Sequence, residues 1–252
     1  MHPFRLGNFM KSLTIVTGLL DGDPNLARSA DSILPELKSG KVKWLIKNST
    51  ANLSDRLREY SKIDGVKMIN EPDTSLYAGL NQALQHVDDG FFMIVGAGDT
   101  LTAGAVDFIH SIVASNPNLD GFYFAVQLAR NGGVLLPRPS ELMHRMACPH
   151  PGAVLSVSKV RALGGFDEKY QIAADYDLLC RYVSAYGASG WSDRVIVNYM
   201  GGGMSEFRAI EGFLEEELIR MRVCKSAQID ACVRGIRFFE NAAGQLRRLG
   251  HG

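Results

Sequence analysis

The sequence predicts an α/β fold with a mainly parallel central sheet flanked by helices. Three observations lead there. Through the first hundred residues, short apolar or β-branched runs alternate with segments of helical spacing. The run Phe91-Phe-Met-Ile-Val95 is apolar throughout, the pattern of a strand covered on both faces. Gly, Asn, Asp and Ser follow each strand-like run, so a parallel sheet would gather them at one end.

The elements follow in order. Leu13–Thr17 reads as the first strand. Leu26, Ala30, Ile33, Leu34 and Leu37 then fall on one helical face. Val42–Ile46 is a strand, and 53–60 is helical with Ser54 as its cap. Val66–Ile69 is a third strand and 76–87 an amphipathic helix, followed by the strand 91–95. Beyond it the pattern loosens. A helix is expected over 106–114 and a strand over 121–129, with 132–136 as its hairpin partner. A long loop rich in Pro, His and Arg spans 138–152. Then come a short strand at 153–156, a helical turn at 158–163, a helix at 175–186 and a strand at 194–199. Gly201-Gly-Gly203 breaks the chain, and 206–249 reads as helical, with a stripe from Ile229 to Leu246. The expected organisation is an N-terminal extension over 1–11, one α/β domain over 12–205 and a helical segment over 206–252.

Composition narrows the function. The 252 residues hold 27 Lys+Arg against 27 Asp+Glu, a net charge of zero that disfavours a nucleic-acid binder. The four Cys are far apart with no CxxC pair, which fits a reducing, cytoplasmic setting without a structural zinc site or disulfide framework. The longest apolar runs fall far short of the roughly 20 residues that a membrane-spanning helix needs. From Arg220 onward, seven basic residues face two acidic ones. An amphipathic basic segment of that kind could rest on an anionic membrane; packing on the domain or on a second subunit is the plainer expectation. The first strand is not followed by GxGxxG, and neither GxxxxGK[ST] nor GxSxG occurs, so dinucleotide, P-loop and serine-hydrolase chemistry are set aside.

The loops carry an ordered set of motifs: Trp44-Leu-Ile-Lys-Asn-Ser-Thr50, Glu71-Pro-Asp-Thr-Ser-Leu-Tyr-Ala-Gly-Leu-Asn81, Ile94-Val-Gly-Ala-Gly-Asp-Thr-Leu101, His150-Pro-Gly152, Gly164-Gly-Phe-Asp167, Ala173-Ala-Asp-Tyr-Asp-Leu178 and Gly201-Gly-Gly-Met-Ser205. Together they resemble glycosyltransferase family 2, the inverting nucleotide-sugar transferases of the GT-A fold, and most closely the branch that assembles capsule, O-antigen and colanic acid. The resemblance runs from about residue 12 to 205.

It implies transfer of a sugar from a nucleotide-diphospho-sugar to a hydroxyl of a glycan or lipid-linked glycan, with Mg²⁺ or Mn²⁺ as cofactor. Asp99 matches the last carboxylate of the family's metal motif; Gly96, Ala97 and Gly98 stand where its partner would be. Mg²⁺ can be held by one carboxylate with phosphate oxygens and water. Asp175 matches the catalytic base, with Ala174 where the commoner motif has Glu. A solvated aspartate is ionised at neutral pH and can take a hydroxyl proton. His150 matches a residue that orients acceptor or diphosphate. Thr17, Asn48, Glu71, Asp73 and Asn81 match the donor-binding positions, Asn48 replacing the usual Asp. Each of these residues also has a plainer role: turn chemistry for Asn48, Glu71 and Asp73, helix capping for Asp99, Asp175 or Asp177, and core packing for Tyr77. Two rival functions stay open. One is a degenerate relative that only binds a nucleotide or a partner, and the other is a sugar-phosphate nucleotidyltransferase. The second would carry basic residues in a Gly-rich loop, and Gly18–Pro24 has none.

Overall fold

A computed structural model describes residues 12–19, 24–187 and 189–223, the side chains of 204 and 205 aside. The expected extension over 1–11, the stripe from Ile229 to Leu246 and most of the basic C-terminal cluster lie outside the described residues.

The first half builds the expected parallel sheet. Strands β1 (Ser12–Leu19), β2 (Val42–Asn48), β3 (Val66–Asn70) and β4 (Gly90–Ile94) pair in the order β3-β2-β1-β4, all parallel. Helices α1 (Leu26–Lys38), α2 (Asp55–Tyr60) and α3 (Leu76–Gln85) supply the crossovers. Ser54 and Ser75 cap α2 and α3 by accepting from the amides of Leu57 and Ala78. A parallel sheet needs cover on both faces, and the strand side chains divide accordingly. Leu13, Ile15, Phe91 and Met93 pack with α1, while Val16, Phe92 and Ile94 pack with α3.

Sequence gives little sign of how the second half extends this sheet. β8 (Ala153–Ser156) pairs antiparallel with both β4 and β6 (Gly121–Leu128). β9 (Gly190–Tyr199) runs parallel to β6, the two-residue strand β5 (Thr100–Leu101) forms the far edge beside β9, and β7 (Val134–Leu135) pairs antiparallel with β6. β5, too short to show a period, was not expected. Helix α4 (Ala105–Ser115) joins α1 on one face; α5 (Val157–Ala162) and α6 (Ala174–Tyr186) join α3 on the other.

The C-terminal segment departs from the expected continuous helix. It divides at Arg208 into α7 (Met204–Phe207) and α8 (Ala209–Val223). α8 lies directly against the domain: Ile219 is in the core, Gly212 abuts Ile172, and Arg222 pairs with Asp177. Its outer face leaves Ile210, Leu214, Leu218 and Met221 exposed, and Phe207 of α7 is exposed as well.

Candidate active site

The C-terminal ends of β1, β2, β3 and β4 share one edge of the sheet, as their register requires: Leu19 opposes Asn48, and Asn48 opposes Asn70. Asp99 follows β4 at this edge. Its amide donates to the Gly96 carbonyl, and its carboxylate accepts from the amides of Gly96 (3.2 Å) and Met200 (2.8 Å). The loop depends on its glycines. Gly98 has φ +98° and would drive a Cβ to 2.5 Å from the Met200 sulfur, while a Cβ on Gly96 would sit 3.0 Å from Asp99 Oδ2. Asp99 caps no helix, since α4 starts from Gly104. Burial pushes the Asp99 carboxyl up, against its two amide bonds and the nearby His150 and Arg28.

His150 opens a short 3₁₀ turn that ends at Gly152. A Cβ at Gly152 would lie 2.2 Å from the Phe124 carbonyl, so glycine lets this turn lie flat on β6. His150 Nδ1 stands 4.0 Å from Asp175 Oδ2. Asp175 Oδ1 is held from two sides, by the Tyr77 hydroxyl (3.2 Å) and by the Tyr176 amide (2.8 Å). Tyr77 also donates to the Ile172 carbonyl at 2.6 Å, and burial together with the Asp175 charge keeps its phenol protonated. Asp175 Oδ2 is thus left on the His150 side.

His150 and Asp175 are therefore neighbours, and the His150 charge also acts on Asp99. A cavity of about 500 Å³ opens beside the pair, lined by His150, Asp175, Tyr176, Tyr199, Phe213 and Glu216 among others.

The donor-side residues divide. Thr17 is fully buried: its hydroxyl donates to the Val95 carbonyl and accepts from the Trp44 indole, tying three strands together. It has no reach left for a ligand. Asn81 is likewise consumed, clamping the turn at Phe166 through three hydrogen bonds to Phe166 and Glu168. Asp73 forms a buried ion pair with Lys47 at 2.7 Å, and the same ammonium donates to the carbonyls of Glu71 and Asn48. Glu71 is exposed at the end of β3. Asn48 differs from these. Its Nδ2 donates to Thr50 and to the carbonyl of Asn52, which fixes the amide orientation, and its buried Oδ1 has no partner among the described residues. It keeps one acceptor to offer.

Asp177 is not a helix cap. It is fully buried and bridges Arg181, at 2.7 Å, and Arg222. The stretch leading into α6 is held instead by Glu215 of α8, which accepts from the amides of Gln171, Ile172 and Ala173, each at 2.8 Å. Sequence reading missed Glu215 and Glu216, because a Glu-Glu-Glu run reads as a solvated face. Lys47 left a signal: a lysine inside a strand buried on both faces must be paired. Cys148 and Cys180 are buried thiols pushed up to about 12 by burial, which makes them poor nucleophiles.

No family model and no curated protein sequence matches the chain. Solved structures do. S. aureus TarS superposes with a TM-score of 0.65 at 9% identity, over 82% of this chain and 39% of TarS. Mannosyltransferase PcManGT from Pyrobaculum calidifontis, in complex with GDP-Man and Mn²⁺, gives 0.59 at 15% identity, over 82% of this chain and 64% of its own. TarS 1-349 in complex with UDP-GlcNAc gives 0.61 at 12% identity, over 82% of this chain and 65% of its own. The fold is that of the GT-A glycosyltransferases. The chain spans well under half of full-length TarS and just under two thirds of the mannosyltransferase.

Among the described residues no three His, Cys, Asp or Glu side chains gather as a metal cage. Asp99 suits a different arrangement. It is one buried carboxylate at the strand ends, each oxygen with a single amide bond, and it could share a hard cation with a ligand's diphosphate.

Proposed function

We propose that the protein is a cytoplasmic, inverting glycosyltransferase of the family 2 kind, moving a sugar from a nucleotide-diphospho-sugar to a hydroxyl of a glycan in surface-polysaccharide assembly. One observation carries the reading: within a GT-A frame, Asp175 presents Oδ2 toward His150 at 4.0 Å, beside a cavity sized for an acceptor. In transfer, Asp175 Oδ2 takes the proton of the acceptor hydroxyl. The acceptor's hydroxyl oxygen forms the new bond to the anomeric carbon from the side opposite the diphosphate, and the old C–O bond breaks to release the nucleoside diphosphate. Tyr77 and the Tyr176 amide fix the carboxylate during this step. His150 aligns the hydroxyl or the diphosphate. Asn48 Oδ1 accepts from the ribose or base of the donor, and Glu71 flanks the same end. Asp99 would hold Mg²⁺ or Mn²⁺, which when bound supplies charge neutralisation at the diphosphate.

The test is donor binding. UDP- and GDP-sugars should bind the full chain more tightly with Mn²⁺ than without, with slow hydrolysis of the matching donor. Asp99→Ala should abolish the Mn²⁺ increment. Failure of every nucleotide-sugar to bind in either condition refutes the proposal.

A further inference from the structure

The acceptor-side cavity has an electrostatic character that the fold does not dictate. Among the described residues its charged or ionisable lining comprises Asp175, Glu216 and His150, with no Lys or Arg. Arg220 is 3% exposed; it donates to Glu216 Oε2 at 3.2 Å and pairs with Glu217. Glu216 Oε1 has no hydrogen bond among the described residues. The His150 ring sits beside the Asp175 carboxylate, which offsets its charge when it is protonated. Tyr176, Tyr199 and Phe213 supply aromatic surface between these groups, suited to the C–H face of a sugar ring or to a cation.

Resting on the transferase reading, we infer that this cavity is an acceptor subsite for a neutral or amine-bearing sugar ring, with Glu216 of α8 as its specificity residue. A carboxylate accepts from vicinal hydroxyls and attracts an ammonium group. Facing a uronate or a phosphate it is a like charge, and such juxtapositions are strongly disfavoured where water is partly excluded. Partial burial of Glu216 and the nearby Asp175 charge push its carboxyl up, against the Arg220 pair.

The experiment measures the affinities of three methyl glycosides, those of glucose, glucosamine and glucuronic acid, by NMR titration of the full chain. The glucosaminide should bind at least about tenfold more tightly than the glucuronide, equivalent to ~1.4 kcal/mol. Glu216→Gln should narrow that gap severalfold, and Glu216→Asp should preserve it. If Glu216→Gln does not fold, the wild-type chain decides: the advantage of the glucosaminide over the glucoside must fade as the pH falls through the carboxylate range. Equal or tighter binding of the glucuronide, a gap unchanged by Glu216→Gln, or no binding by any of the three overturns the inference. UDP and GDP titrations with Mn²⁺ on the same preparations separate the two claims. Nucleotide binding without the glycoside preference sinks the inference alone, whereas the preference without nucleotide binding sinks the transferase reading and the acceptor role with it, leaving only a sugar-binding cavity at Glu216.

Discussion

Asp175 and Asp177 stand two residues apart at the start of α6, and exchanging each for asparagine should give opposite phenotypes. Asp177 is fully buried, while its partners Arg181 and Arg222 are 23% and 38% exposed. Breaking a fully buried pair costs about 3–5 kcal/mol, but here water reaches both cations and asparagine keeps one acceptor. Arg181 also retains its bonds to the carbonyls of Leu163 and Gly165. The expected loss is about 2 kcal/mol, read as a lower urea midpoint at unchanged m-value. Asp175→Asn keeps the Oδ1 that accepts from Tyr77 and Tyr176, so its stability should stay within about 0.5 kcal/mol of wild type. It cannot take a proton, and turnover should fall by roughly 10²–10⁴-fold with donor affinity unchanged. Hydrolysis of the bound donor by water serves as the assay, since it needs the same base. Turnover that survives Asp175→Asn would refute the base assignment, and an unaltered midpoint in Asp177→Asn would refute the energetic reading of the ion triad.

Two further outcomes follow from the geometry. Gly152→Ala drives a Cβ into the Phe124 carbonyl, so the turn bearing His150 must lift; donor hydrolysis should drop at least tenfold and the urea midpoint should fall, by an amount set by about 1–3 kcal/mol of strain. Glu216 has its folded pKa raised, so the stability linked to its protonation is fully present below the unfolded pKa and is lost as the pH rises through the folded value. Glu216→Gln removes that loss, and thermal melts should show the variant gaining on wild type as the pH rises from the ordinary carboxylate range upward; a difference that does not move with pH would contradict the raised pKa.

The parallel half of the fold was legible because its physics is local. Strands buried on both faces are continuous apolar runs, and crossover helices show their stripe, so β1 to β4 and α1 to α3 fall where expected to within a few residues. The sheet order β4-β8-β6-β9-β5 was not legible, since pairing across distant segments leaves no periodicity behind. Among the residues the motifs singled out, His150 stands 4.0 Å from Asp175. Thr17 and Asn81 have surroundings that the motifs did not indicate. Their polar groups close bonds inside the protein, and nothing in a sequence says whether a hydroxyl or an amide near a strand end is already spent.

The sequence leaves Asp175 as either cap or base, and α8 takes the capping role from it. Ala173, at the N-cap of α6, has no side chain with which to cap. Three consecutive amides leading into the helix would stay unpaired, at a cost comparable to lost hydrogen bonds. Glu215 takes all three, and its charge also favours the positive end of the α6 dipole. With that task met from outside, Asp175 spends only Oδ1 on structure, and Oδ2 faces His150. Asp177, the other cap candidate, is committed to Arg181 and Arg222, the second of them also from α8. The helix that the sequence sets apart from the domain is therefore what leaves one Asp175 oxygen free of capping. The next residue along it, Glu216, lines the cavity which that oxygen borders.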